Sequence, residues 1–285
     1  MGARTLLQVV AHPDDDAYGV AGTVALHAAD PGFRFVLVHA TDGGAGDIRD
    51  GFPATRETLG SIRRAEDAAA WRAHGRPPDR HEWLGLDDGE VSRVPEEELA
   101  GRIGEILAEE KPAVVATFGP DGLTGHPDHI AVGAATDAAF RQGAAAGLPG
   151  FQRLVHAALP QTVFERWNHR RAARGLAVWD PTAVYHLRGV PDEEVGVTVD
   201  TTAVSARVLA GLLEHRSQLH VIAEDPADLV RWERTLRREH HVIAWPPRPP
   251  GGPRLPDLFA GLEQPEEAVA HHDTAAPSGR SSLAT

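Results

Sequence analysis

A Rossmann-like α/β fold is predicted for this chain: an open, mostly parallel sheet with helices on both faces and a less regular C-terminal portion. Two observations predict it. Short apolar runs alternate with segments of helical period through the first half. The residues richest in chemistry follow directly on two of those runs, and open parallel sheets bind ligands beyond the carboxyl ends of their strands.

In order, residues 6–10 form a short apolar run, predicted as a buried strand, and residues 18–29 an Ala- and Val-rich helix halted before Pro31-Gly32. Residues 34–40 (RFVLVHA) predict a second strand, followed by a Gly/Asp loop over 42–51. A long helix is predicted over 54–74, stopped by Gly75, then a short strand over 82–86 entering an Asp-Asp-Gly turn. A helix over 95–110 and a strand over 113–118 complete the regular half. Beyond it, residues 151–158, 183–187 and 194–199 read as strands and 201–216 and 226–239 as helices. One domain is expected over 1–266, with a core of about 5–145 and a C-terminal portion over 150–266. Within that portion, WPPRPPGGPRLP (245–256) cannot be regular helix or sheet and is expected to be a wrapping arm or a linker. The polar tail 267–285 is expected to be disordered.

Composition narrows the function. A net charge of -13 argues against nucleic acid or an anionic membrane surface as partner. With no cysteine, disulfides and thiolate metal sites are excluded, so any metal is held by carboxylates and some of the 16 histidines. The N-terminus does not read as a signal peptide and no stretch suffices to span a bilayer, so the expectation is a cytoplasmic protein. A homo-oligomer is left open.

The first informative cluster is Ala11-His12-Pro13-Asp14-Asp15-Asp16, after the first strand. Crowded carboxylates repel one another, and a bound cation removes that cost. A helix N-cap would account for one Asp, not three beside a His-Pro pair. The second cluster, Gly125-His126-Pro127-Asp128-His129, follows the strand over 113–118. Pro127 suits the first turn of a helix, which turns His126 and His129 to one side and sets Asp128 against the helix dipole. Each cluster alone could be an ordinary helix start; their joint position at strand ends favours a site. His27, His39, His74, His81, His156, His169 and His186 lack any visible partner motif, and His240-His241 and His271-His272 suggest only adventitious metal binding.

AHPDDD and GHPDH resemble the two signature motifs of the LmbE/PIG-L-like family of zinc-dependent N-acetylglucosaminyl deacetylases. Thr41-Asp42-Gly43, Leu59-Gly60-x-x-Arg63-x-x-Glu66, the Asp-Asp-Gly turn at 87–89 and His215-x-Ser217-Gln218 follow in matching order, so the resemblance runs from about residue 6 to 218. It implies His12, Asp15 and His129 as ligands of zinc, with Fe(II), Co(II) or Mn(II) as substitutes. It implies Asp14 as the general base that activates water and His126 as the group that stabilises the oxyanion, its protonated imidazole suiting both that task and proton delivery to the amine. Arg63 and Asp88 match substrate-binding positions, and Asp128 is either a carboxylate behind a histidine or a helix-end charge. Departures are Gly44 where many relatives carry Glu (Asp47 follows nearby), Asp16 for the usual Glu, Thr124 where some sugar deacetylases carry Tyr, and no Lys ahead of His215.

The expected function is amide hydrolysis, an N-deacetylation of a small amino-sugar conjugate or related amide. Two rivals are a non-catalytic carbohydrate-binding protein on the same fold and a metal-dependent phosphoesterase. The complete His/Asp set speaks against the first, and the acidic chain and three-ligand pattern against the second. Gly43-Gly44-Ala45-Gly46 lacks the third glycine of a dinucleotide loop and follows the wrong strand.

Overall fold

A computed structural model describes residues 4–222 and 229–262. Five strands alternate with helices: β1 (Arg4–Val10), β2 (Phe33–Thr41), β3 (Arg80–Leu86), β4 (Val114–Phe118) and β5 (Arg153–Ala157). The helices between them are α1 (Asp15–Gly19), α2 (Ala21–Leu26), α3 (Arg56–His74), α4 (Glu96–Glu110) and α5 (Pro127–Ala145). Then come α6 (Gln161–Ala173), β6 (Val195–Asp200), α7 (Ser205–Leu212), α8 (Leu219–Ile222), α9 (Leu229–Thr235) and β7 (Arg238–Trp245). The strands form one sheet in the order β3-β2-β1-β4-β5-β7-β6. The first five are parallel; β7 runs antiparallel to both β5 and β6.

Chain order and right-handed crossovers explain where the site lies. The chain moves outward from β1 to β2 and β3, then returns across β1 to β4 and β5. Right-handed connections put α1 to α3 on one face and α4 and α5 on the other. The loops after β1 and β4 therefore diverge to opposite faces, opening a crevice between neighbouring strands. Continuous burial of β1, β2 and β4 fits a sheet covered on both sides.

Several expectations are corrected. The helix expected over 18–29 is two short ones broken at Val20 (φ -138°, ψ 7°). The Gln8 side-chain amide of β1 donates to the Asp16 carbonyl, an acceptor within α1. The strand expected over 183–187 is absent: Val184 and Tyr185 are exposed, Tyr185 has φ 66°, and Asp180 ties the segment into turns through Thr182 and His186. The helix expected over 201–216 is a 3-10 turn followed by the shorter α7. The helix expected over 226–239 closes at Thr235, and Arg238–Trp245 is instead a strand of alternating burial between β5 and β6; residues 226–228 lie outside the described residues. Helix α6 was not anticipated.

The Pro-rich segment wraps its own sheet. Leu255 exchanges backbone hydrogen bonds with Gly196 and Thr198. Leu258 and Phe259 are buried, with the Phe259 ring edge-on to Phe33 at 6.0 Å. The expected disordered tail falls outside the described residues.

Glu239 of β7 supplies what α2 lacks locally. Val20 cannot cap a helix, and the buried Glu239 carboxylate accepts the backbone N–H of Gly22 and Thr23 and the Thr23 hydroxyl. Glu239→Ala leaves two buried N–H groups unpartnered. It is expected to destabilise the protein by about 2–3 kcal/mol, read as a lower denaturation midpoint at unchanged m-value. A loss under about 0.5 kcal/mol would refute the capping role.

Candidate active site

Asp14, Asp15 and His12 are held by the turn that carries β1 into α1. The His12 N–H donates to Asp15 Oδ2 (2.8 Å) and the Asp14 N–H to Asp16 Oδ1 (3.1 Å). Asp14 sits at φ 95°, a strained conformation for any residue with a Cβ, and such strain is concentrated at functional sites. Across the crevice, α5 starts with His126 as its N-cap, accepting the Asp128 N–H on Nδ1 (3.1 Å). Gly133 lets α5 approach β4: a Cβ there would lie 2.7 Å from the Phe118 carbonyl oxygen. This seats His129 against Phe118, rings stacked at 4.2 Å.

The three expected metal ligands converge from the two loops. His12 Nδ1 lies 3.2 Å from Asp15 Oδ2, His129 Nε2 3.3 Å from Asp15 Oδ1, and the two imidazole nitrogens 3.3 Å apart. Four ligands set tetrahedrally about zinc at about 2.0 Å lie about 3.3 Å apart, so these donors fit one ion with a vertex left over. Their far sides are anchored: His129 Nδ1 faces the Gly122 carbonyl (3.0 Å), and His12 Nε2 faces Asp88 Oδ1 (3.0 Å) and Asp128 Oδ2 (3.4 Å). Such anchors fix ring orientation in metal sites. Burial opposes a charge on His12, but Asp128, Asp15 and Asp88 outweigh it and hold the imidazolium well above the usual histidine range. The pocket is thus built around positive charge.

The remaining expected residues lie around this group. Burial pushes Asp14 up to about 7, against the pull of Arg63. Arg63 is buried; its guanidinium donates to the carbonyls of Gly43 (2.9 Å) and Pro13 (2.6 Å) and pairs with Asp14 Oδ2 (3.2 Å). Asp88, besides facing His12, accepts the Ala45 N–H (2.7 Å). Both residues expected at the substrate are thus engaged by the protein. Asp128 is fully buried, accepts the Gly89 N–H (2.8 Å) and faces His12, so the carboxylate behind a histidine is the arrangement found. Burial and the neighbouring His12 and His129 bring His126 down to about 4. With Nδ1 accepting the Asp128 N–H, Nε2 is the ring nitrogen left to donate.

Sequence reasoning missed several neighbours. Tyr185, from the segment expected as a strand, sets its ring edge-on to His126 at 5.1 Å; Arg188 holds that segment over the loop before α5 by donating its N–H to the Leu123 carbonyl. His39 and His81, given no partner, share Asp67 on α3. Burial and the Asp16 carboxylate push Asp67 well above the usual carboxylate range, and burial brings His81 down to about 4. Asp67 has no signature of its own; its spacing of four from Arg63, along one buried face of α3, was the available signal.

Residues 7–140 match the family model described as PIG-L, GlcNAc-PI de-N-acetylase. A 1D-myo-inositol 2-acetamido-2-deoxy-alpha-D-glucopyranoside deacetylase of Tsukamurella paurometabola is 31% identical over 298 residues, covering 91% of this chain and 99% of the relative. The chain belongs to the PIG-L/LmbE family. PIG-L/LmbE deacetylases are metal-dependent amide hydrolases, and the His12, Asp15 and His129 group is of the kind that holds the metal. Among solved structures, the N,N'-diacetylchitobiose deacetylase of Pyrococcus horikoshii shares the fold (TM-score 0.55, 22% identity, 91% of this chain and 86% of that one). So does a 4-carboxy-2-hydroxymuconate hydratase of Pseudomonas putida (TM-score 0.58, 16% identity, 86% and 98%). The PIG-L/LmbE fold alone therefore does not specify hydrolysis; the site must. Neither the phosphoesterase nor the carbohydrate-binding reading is favoured by these likenesses. Among the described residues, no helix is long and apolar enough to cross a membrane.

Proposed function

We propose that this chain is a zinc-dependent N-deacetylase of a small N-acetylglucosamine-type conjugate, with His12, Asp15 and His129 as ligands and Asp14 and His126 as catalytic residues. The observation that carries the reading is that the two imidazole nitrogens lie 3.3 Å apart and each lies 3.2–3.3 Å from one oxygen of the Asp15 carboxylate, with Asp14 adjoining them in chain and space. Zinc bound there supplies Lewis acidity, polarising the amide carbonyl and acidifying water. Asp14 takes the proton of the attacking water, held in place by Arg63 and by its own strained backbone. With its pKa raised to about 7 by burial, Asp14 is equally able to return that proton to the departing amine. His126 Nε2–H donates to the developing oxyanion as a neutral imidazole. Arg63 acts through Asp14, and Asp88 through His12.

The substrate side favours a polar ring. A cleft of about 360 Å³ opens beside Asp88, bounded by Asp42, Arg56 and Arg64, with ion-pairing and hydrogen-bonding groups suited to sugar hydroxyls. The exposed Tyr185 offers an aromatic face beside His126.

The test is amine and acetate release by the zinc-loaded protein from a panel of N-acetylglucosamine conjugates, α-linked inositol and chitobiose types included. Release from at least one member at wild-type metal loading is the expected result. Metal-loaded protein inert on every N-acetyl sugar but active on a simple acyl amide would overturn the sugar reading and keep the hydrolase. Release that persists after zinc is stripped would overturn the mechanism.

A further inference from the structure

Beside the first donor group lies a second set of metal-ligating side chains, contributed by β2, β3 and α3. His39, Asp67 and His81 bring one ligand atom each to within 4.8 Å of one another. His39 Nδ1 lies 2.9 Å from His81 Nε2. Asp67 Oδ1 lies 3.9 Å from His39 Nε2, and Asp67 Oδ2 lies 3.8 Å from His81 Nδ1. From α1, Asp16 Oδ1 reaches to 3.5 Å of the same His39 Nε2.

What sets this cluster apart is its unmet bonding. The side chains of His39, Asp67 and Asp16 are entirely inaccessible. Yet both carboxylate oxygens of Asp67, one of Asp16 and Nε2 of His39 have no hydrogen-bond partner. Buried polar atoms are nearly always partnered, and three orphans facing one another, the two Asp67 oxygens and His39 Nε2, with the Asp16 carboxylate alongside, call for a ligand. The separations of 3.5–3.9 Å are too long for hydrogen bonds. They are right for two donors bound to one ion, which at bonds of about 2.1 Å can be up to about 4.2 Å apart. Two imidazoles and two carboxylates would also neutralise a divalent charge and suit a borderline transition metal better than Ca²⁺ or Mg²⁺, which prefer oxygen throughout. The Trp83 ring stacks on His39 (4.5 Å) and lies against His81 (4.6 Å), an apolar wall shielding the group.

We propose that His39, His81 and Asp67, with the Asp16 carboxylate completing the set, form a second metal site for a zinc-class divalent cation, separate from the one at His12, Asp15 and His129. A cation there ties β2, β3 and α3 together beneath the crevice. Through Asp16, which accepts the Asp14 N–H, it also fixes the turn that carries the first site. The site is independent of the substrate reading and stands or falls on metal content.

The experiment is elemental analysis of the full chain after zinc loading and gel filtration, read alongside thermal melting with and without a strong chelator. Wild type is expected to hold about two equivalents, and His81→Ala and Asp67→Asn about one each. His12→Ala is also expected to hold about one, and His12→Ala/His81→Ala about none. His81 lies on the edge strand β3 and is partly exposed, so its removal is tolerated by the fold; Asp67→Asn keeps the volume of a fully buried group. Wild type and the four variants separate the two sites even if one variant fails to fold. A wild type that saturates at about one equivalent, lost in His12→Ala and kept in His81→Ala, would overturn the proposal and leave His39, Asp67 and His81 as a proton-sharing cluster.

Discussion

Asp14→Asn is expected to lower kcat by about 10²–10⁴-fold, the range for losing a general base, while leaving metal content unchanged. Asparagine keeps an oxygen for Arg63 but cannot accept the proton of water. The wild-type pH profile should carry the same signature. Asp14 must start ionised, and burial has raised it to about 7; a bound cation draws it down. Activity therefore falls as pH drops, with the midpoint of kcat/KM at or below about 7, and that acid limb should vanish from the residual activity of Asp14→Asn. Strain supplies a second readout. At φ 95° a non-glycine residue carries about 1–3 kcal/mol of conformational strain, so Asp14→Gly should lose activity as Asp14→Asn does and yet gain up to about 1 kcal/mol in stability. Asp14→Asn retaining more than about a tenth of wild-type kcat would remove Asp14 from the mechanism.

How much of this was legible in the sequence follows from how local each signal is. Strands β1, β2 and β4 are buried on both faces, so continuous apolar runs marked them without knowledge of their partners. AHPDDD and GHPDH each lie on a single turn, and the sheet's change of direction between β1 and β4 made them meet. The later elements resisted for the opposite reason. Strand β7 has its meaning only as a ribbon between β5 and β6, and α2 begins where it does because Glu239 reaches it from more than two hundred residues away. Residues 183–187 alternate like a strand but have no sheet edge to join. The same logic divides the site. The ligand triad was readable because its residues sit in compact motifs. The restraints on it were not: Arg63 on Asp14, Asp88 on His12 and Asp67 between two histidines are contacts across elements, invisible in any one segment. Glu66 and Ser217, matched in separate motifs, turn out to bond each other, Ser217 donating both its N–H (2.8 Å) and its hydroxyl (2.6 Å) to the Glu66 carboxylate.

His12→Ala is expected to empty the first metal site and reduce activity by about 10³-fold, the several kcal/mol of transition-state stabilisation a catalytic cation provides. Its effect on stability is the sharper test, because His12 faces three carboxylates. In the chelated wild type the imidazolium outweighs the burial that would raise Asp88 and Asp128 and holds both below the usual range, Asp88 at about 2, while Asp15 is held down by His129 first and His12 second. A depressed folded-state pKa contributes stability above the unfolded value of about 4, lost as pH falls through the folded value. Alanine reverses the sign. With burial unopposed by His12, Asp88 and Asp128 rise above their unfolded values, so the folded variant binds protons the unfolded chain does not, and its stability falls as pH rises. The gap in melting temperature between chelated wild type and His12→Ala should therefore widen from about pH 5 to about pH 6.5; above that, wild type also loses stability, because its raised His12 keeps a proton that the unfolded chain releases. A gap that stays constant from about pH 5 to about pH 6.5 would mean that Asp88 and Asp128 do not depend on His12 for their charge balance, and the cation-centred account of this pocket would fail with it.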